Sequence, residues 1–275
     1  MNILSEAPAM AVTTDSKKQS VIRLKEICLT YKSNNRNVEA LRNINQDIYE
    51  GEFICVLGPS GCGKTSLLKI IAGYEEATSG DVVVAGQKHV KPNADVGLVF
   101  QHPNLFPWLT IQKNVEFGLQ MKNMKKNQRQ EQALYYLEMV GLKDFAHLLP
   151  HELSGGMKQR AAIARALANN PKVILMDEPF GALDALTRET MQSHLREIWM
   201  KTNKSIYFIT HDVEEALLLS TRILVLKANP GRVETDIENP FVNELKQKEV
   251  KDVRLSKEFI EMREYLISKI SGCTK

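Results

Sequence analysis

The sequence is short of several things, and each shortage removes a class of explanation. It holds four cysteines in 275 residues, Cys28, Cys55, Cys62 and Cys273, with no CxxC pair and no histidine at zinc-ligand spacing from them. That pattern argues against a disulfide framework or a structural zinc site and fits reduced thiols. No apolar run approaches the roughly 18 residues that cross a bilayer. Glu6, Pro8 and Asp15 interrupt the first twenty residues, and the lysines there follow the apolar part, so 1–20 reads as a loose tail rather than a signal peptide. Charge of one sign is scarce as well. The 36 basic residues nearly balance 33 acidic ones, and a net charge of +3 is too mild to argue for nucleic acid. Repeats and low-complexity tracts are missing. What remains is an ordinary composition, 43% hydrophobic and 25% charged, in a chain long enough to bury a substantial core.

The order of elements narrows the fold. Val21–Tyr31 mixes β-branched and polar residues as an edge strand would, and Ser33–Asn37 reads as a turn. A strand, a turn at Glu50-Gly51 and a buried strand, Phe53–Leu57, come next. After the loop Gly58–Gly63 a helix runs to Gly73. "SGDVVVAGQ" reads as a strand between turn signals at Ser79-Gly80 and Gly86, and Val96–Gln101 as another. From Pro103 to about His151 strand patterns vanish and helical ones replace them, as in a helical insert. Alternation then resumes: helix 155–169, strand 172–177, helix 186–201, strand 205–210, helix 212–219, strand 222–227. Continuous apolar strands alternating with helices predict an α/β fold whose sheet is covered on both faces. At the end, Phe259, Met262, Leu266 and Ile270 share one helical face, which packing explains.

"GPSGCGKT" (Gly58–Thr65) fits G-x-x-x-x-G-K-[ST] between a buried strand and a helix. Glycines there let backbone N–H groups turn toward phosphates, and the helix N-terminus adds partial positive charge. Lys64 can reach the β- and γ-phosphates, and the Thr65 hydroxyl can hold Mg²⁺. The spacing G-x-x-G-x-G does not meet the dinucleotide fingerprint. In "VILMDE" (Val173–Glu178) four apolar residues bury a strand and Asp177 emerges at its carboxyl end, where a doubly wound sheet places ligands. Asp177 can bind Mg²⁺ through water, and Glu178 can polarise an attacking water. A second anion site is encoded at "LSGGMKQR". Ser154 fits a helix N-cap, and Gly155 and Gly156 leave bare N–H groups at its positive end.

Together these strings resemble the ATP-binding subunits of ABC transporters, from about Val21 to Val233. "LSGGMKQR" looks like that family's signature motif, "GPSGCGKT" its Walker A and "VILMDE" its Walker B. Gln101 matches the Q-loop glutamine, which touches Mg²⁺ and the water. "GALD" (Gly181–Asp184) matches the D-loop and His211 the switch histidine, implied to contact the γ-phosphate. Tyr31 is placed for the aromatic that stacks on adenine. The resemblance implies a P-loop NTPase (RecA-like) core with a small antiparallel β subdomain, over 21–235. It also implies a helical subdomain at about 103–165 and a helical extension at 236–275. ATP and Mg²⁺ are the implied cofactors. Gly58, Pro59, Ser60, Gly61, Cys62, Gly63, Lys64, Thr65, Ser66 and Tyr31 would form one half of the nucleotide site. Ser154, Gly155 and Gly156 of a second, head-to-tail copy would form the other half. Catalytic roles fall to Glu178, His211 and Gln101, and metal contacts to Thr65, Gln101 and Asp177.

The implied partners are that second ATPase subunit, a homodimer being expected, two transmembrane permease subunits and, indirectly, an extracellular binding protein; nucleic acid is not among them. The implied location is the cytoplasmic face of the cell membrane. Pro103–Met124 would meet the permease, with Phe106 and Trp108 exposed and Lys122, Lys125 and Lys126 on a solvated face. "FPWLTIQKNV" and "ANPGRV" look like the importer group for nitrate, sulfonates, taurine and related compounds. The roughly forty residues after Val233 are too few for the large regulatory domain some importers carry. Two other readings fit less well. A DNA-repair ATPase needs a long coiled coil between its half-sites, and ribosome-directed members usually join two cassettes. A P-loop kinase or GTPase would lack the signature and switch histidine, and no N-K-x-D motif is present.

Overall fold

The computed structural model describes residues 19–33, 36–89, 91–245 and 249–272. The expected tail lies outside them save for its last two residues, as do Cys273 and the middle of the expected turn at Ser33–Asn37. In chain order the strands are β1 (Ser20–Ser33), β2 (Arg36–Tyr49), β3 (Phe53–Leu57), β4 (Ser79–Val84), β5 (Gln87–Lys88) and β6 (Val96–Val99). Four more follow: β7 (Val173–Asp177), β8 (Ser205–Ile209), β9 (Arg222–Lys227) and β10 (Arg232–Glu238). The helices begin with α1 (Lys64–Ile71), α2 (Ile111–Met121), α3 (Lys126–Met139), α4 (Gly155–Ala168) and α5 (Ala185–Thr202). They end with α6 (Val213–Leu219), α7 (Phe241–Glu244), α8 (Val250–Arg254) and α9 (Lys257–Gly272).

A six-stranded sheet in the order β10-β9-β3-β8-β7-β6 forms the centre, all parallel except β10. Its apolar strands serve two cores at once. Phe53, Cys55, Ile174, Met176, Phe208 and Val225 face one side, with α2–α6 and the C-terminal helices. Ile54, Val56, Leu175, Tyr207, Ile209 and Leu224 face the other, with α1 and the second sheet. Strands buried on both faces explain the unbroken apolar runs. The sites at the carboxyl ends of β3 and β7 therefore sit on a rigid base.

The second sheet is antiparallel, β2-β1-β4-β5, and here the sequence expectation needs correction. β1 is interior, paired with β2 on one side and β4 on the other. Its polar residues mark the outward face of a one-sided sheet, while Val21, Ile22, Leu24, Ile27 and Leu29 fill the core. Ser79-Gly80, expected as a turn, begins β4. Gly80 takes φ +98°, and a Cβ there would lie 2.5 Å from the carbonyl of Glu26, itself left-handed at φ +52°. The glycine permits a bulge, not a reversal.

Phe100 and Gln101, read as strand, lie beyond β6. α2 and α3 occupy the expected insert and pack on α4 through Ile111, Val115, Leu119, Ala133 and Leu137. β10 had no counterpart in the sequence reading, and it runs through the expected boundary at 235 to Glu238. Beyond it, Phe241, Val253, Phe259 and Leu266 are buried against the central core, so the expected face of α9 does pack inward. No helix among the described residues is long and apolar enough to cross a membrane.

Candidate functional site

The loop between β3 and α1 is shaped by three glycines with positive φ: Gly58 (+151°), Gly61 (+77°) and Gly63 (+93°). Gly58 and Gly63 are enforced by packing, since a Cβ on Gly58 would meet the Leu226 carbonyl and one on Gly63 the Leu41 side chain, each at 2.5 Å. Gly61 has nothing within 4 Å, so its backbone faces open space. Lys64 is buried and donates from Nζ to the carbonyls of Gly58 at 2.6 Å and Pro59 at 3.1 Å, which aims its charge across the loop. Cys62 is wholly buried under the loop, its N–H donating to the Pro59 carbonyl at 3.3 Å.

A cavity of about 430 Å³ opens above this loop, lined by Ser60, Gly61, Gly63, Lys64, Thr65, Ser66, Glu178 and Tyr31. Val38, Glu39, Ala40 and Asn229 complete it, and sequence reasoning missed all four. The Tyr31 ring stands at its rim, its hydroxyl donating to Glu75 Oε2 at 2.8 Å and lying 3.1 Å from Ser66 Oγ. Burial and the adjoining Glu75 carboxylate raise the Tyr31 hydroxyl above its usual pKa despite the Ser66 contact, so it stays neutral.

The acidic side is assembled by β7. Thr65 Oγ1 lies 3.4 Å from Asp177 Oδ1, which brings an alcohol and a carboxylate to one point. Burial pushes the Asp177 carboxyl up, against the hydrogen bond from Thr65. Glu178 takes φ +45°, a strained conformation for a non-glycine residue, held by its N–H to the Ile209 carbonyl at 3.0 Å. Glu178 Oε2 lies 3.5 Å from Nδ1 of the exposed His211. A Cβ on Gly181 would lie 2.9 Å from Gln101 Nε2. Gln101 thus rests on the 181–184 loop, without a hydrogen bond to Thr65 or Asp177 among the described residues.

The second anion motif is built but stands elsewhere. Ser154 caps α4, its Oγ accepting from the Met157 N–H at 3.3 Å. Gly155 is exposed, and Gly156 packs so closely on α5 that a Cβ would come within 2.7 Å of Thr187 Cγ2. None of the three lines the cavity above the β3–α1 loop. One chain thus carries two phosphate-ready backbone surfaces that do not meet within it.

The ABC transporter family model matches residues 41–181. The chain belongs to the ABC transporter family. The nitrate import ATP-binding protein of Synechocystis sp. is 53% identical over 201 residues, 73% of this chain and 76% of the relative. The taurine import ATP-binding protein of Jannaschia sp. is 46% identical over 237 residues, covering 86% and 88%. Among solved structures, a dimeric ATP-binding cassette in a post-hydrolysis state bound to ADP and Pi is 39% identical, with a TM-score of 0.70 over 79% of this chain and 98% of that one. The fold is that of an ABC ATPase cassette, and the likeness to the nitrate and taurine group read from the sequence is borne out. The chain is an ABC cassette ATPase, and it brings Thr65 Oγ1 to 3.4 Å from Asp177 and Glu178 to 3.5 Å from His211.

Proposed function

We propose that this ABC ATPase is the ATP-hydrolysing subunit of an importer, acting as two copies that close head to tail over two ATP molecules. Two separate permease subunits would carry the substrate across the membrane, and the ATPase pair would sit on their cytoplasmic face. The observation that carries this reading is the separation of the two phosphate-ready surfaces. Among the described residues Ser154, Gly155 and Gly156 do not line the chain's own nucleotide cavity, and a second copy would bring its nucleotide to them.

The residues present fit ATP and Mg²⁺. The N–H groups of the loop 58–63 and Lys64 take the phosphates, Ser66 borders them, and Tyr31 offers its ring to the adenine. Thr65 and Asp177 are hard oxygen donors 3.4 Å apart, suited to Mg²⁺, with Gln101 approaching from the 181–184 loop. When bound, the cation draws negative charge off the phosphates. Glu178 accepts a proton from the attacking water, and His211, paired with it, is placed for the γ-phosphate. Ser154, Gly155 and Gly156 of the second copy close the site.

The permease would enter the groove of about 600 Å³ between the central sheet and α2, lined by Tyr74, Leu98, Phe100, Phe106, Phe117 and Met121. Trp108 stands 72% exposed at its edge, whereas Phe106, expected exposed, is half-buried, with Phe117 4.5 Å from its ring. Lys122, Lys125 and Lys126 are exposed, as expected of a solvated face. The names of the relatives support nitrate, a sulfonate, taurine or a related small compound as cargo, delivered by an extracellular binding protein. Glu178→Gln should retain ATP, lose turnover by about a hundred-fold or more and run as a dimer in light scattering. Ser154→Arg should lose turnover while an isolated monomer binds ATP as before. A Glu178→Gln chain that stays monomeric with ATP, or equal loss of monomer binding in Ser154→Arg, refutes the shared site.

A further inference from the structure

Burial lowers the basicity of three arginines among the described residues, Arg160, Arg165 and Arg196. Two of them meet backbone carbonyls. Arg160 donates to Val140 O at 3.0 Å, and Arg165 to Asn104 O at 2.7 Å and Pro103 O at 2.9 Å. Arg196 differs. Its Nε is buried without a hydrogen-bond partner, and its guanidinium makes no ion pair among the described residues. The neighbouring Glu197 acts on it only at a distance and is itself paired with Lys201 at 4.0 Å. The rest of the guanidinium is only partly buried and carries no protein acceptor among the described residues, so it is free to meet an anion.

Arg196 opens into a cavity of about 380 Å³ between α5, α6 and α8, remote from the nucleotide loop. Leu218, Leu219, Val250 and Leu255 supply apolar walls, and Lys251 a second cation. The cavity's one carboxylate, Glu189, is already taken by Arg254 Nη1 at 2.7 Å. The cavity therefore combines Arg196 and Lys251 with apolar walls, at a size that suits a small organic ligand. Its walls also lead to the catalytic loops. α5 starts directly after Asp184, and α6 starts two residues after His211. Arg254 and Arg263 tie the C-terminal helices to both, through Glu189 on α5 and through Glu214 on α6 at 3.7 Å and 3.0 Å.

We propose that this cavity is an effector site for a small organic monoanion, a carboxylate or sulfonate with a short alkyl body, its charge on Arg196 and its chain against Leu218 and Leu255. The ligand adjusts ATP turnover from outside the nucleotide site, by shifting α8 against α5 and α6.

The probe is hexanesulfonate, titrated calorimetrically into the full chain, with inorganic sulfate and hexanol as controls. One saturable site per chain is expected, with neither control displacing the probe. Arg196→Gln should weaken binding about ten-fold or more, and so should Leu255→Asp, a change at a side chain 69% exposed and therefore tolerated by the fold. Turnover of ATP should change about two-fold or more on saturation, and the change should vanish in Arg196→Gln, whose own basal turnover matches the parent. Failure of the folded parent to bind at millimolar probe overturns the site. So does binding indifferent to Arg196→Gln, or sulfate competing as well as the probe. Saturable binding that leaves turnover unchanged overturns the effector role.

Discussion

Burial raises the Asp177 carboxyl above its ordinary range, so folding holds a proton that the unfolded chain would release. Between those two pKa values the folded state binds more protons, and stability falls as pH rises through the window. At neutral pH the carboxylate is therefore a liability for folding, set against the metal role proposed for it. Asp177→Asn should raise the melting temperature at neutral pH, and the gain should shrink as the parent is acidified below its carboxyl range. The same variant should hydrolyse ATP about a hundred-fold more slowly or worse. Thermal melts across pH beside a steady-state assay check both halves; a variant no more stable at neutral pH would contradict the burial argument. Asp177 was legible in the sequence, as were Lys64, Thr65, Glu178 and Ser154, because their chemistry requires fixed residue types at short local spacing. Val38, Glu39, Ala40 and Asn229 were not. They reach the cavity through the pairing of β1 with β2 and the return after β9, which leave no local signature. Glu75, which holds the Tyr31 hydroxyl, was hidden for the same reason.

At the scale of elements, α4 does more than present an N-terminus. Gln159 donates to the Phe100 carbonyl at 3.1 Å, while Arg165 donates to those of Pro103 and Asn104. These acceptors flank Gln101 on both sides, and the Arg165 guanidinium also lies 5.9 Å over the Phe106 ring. The Q-loop is thereby stapled to the signature helix beside the groove proposed for the permease. Arg165→Ala should cost about 1–3 kcal/mol, as loss of a guanidinium's hydrogen bonds to backbone carbonyls does. Its turnover should fall through kcat with little change in KM for ATP, measured by denaturant unfolding and steady-state kinetics; unchanged stability would show the staple to be slack. The elements themselves were readable to differing degrees. Buried parallel strands announced themselves by unbroken apolar runs. β1 was misplaced to an edge because a one-sided interior strand shows the same alternation. β10, "RVETDIE", escaped because it is a real edge, with Thr235 its one buried residue.

For the whole molecule, the close approach of Gly156 to Thr187 matters most. It fixes the start of α4 on α5, just past the loop 181–184. The surface proposed to meet a neighbour's nucleotide and the loop touching the chain's own Gln101 thus form one stiff edge. Gly156→Ala would drive a Cβ into Thr187 Cγ2, so turnover by the pair should drop while ATP binding by a lone chain persists. Adding Thr187→Ser removes that methyl and keeps the hydroxyl; the double variant should regain much of the lost rate. No rescue in the double variant would mean the glycine serves its backbone alone. If two copies close as proposed, an edge this stiff would leave neither a private response: what one pocket does would reach its twin as a tilt. Velocity plotted against ATP should then bend upward before it levels, the mark of two engines geared to a common shaft.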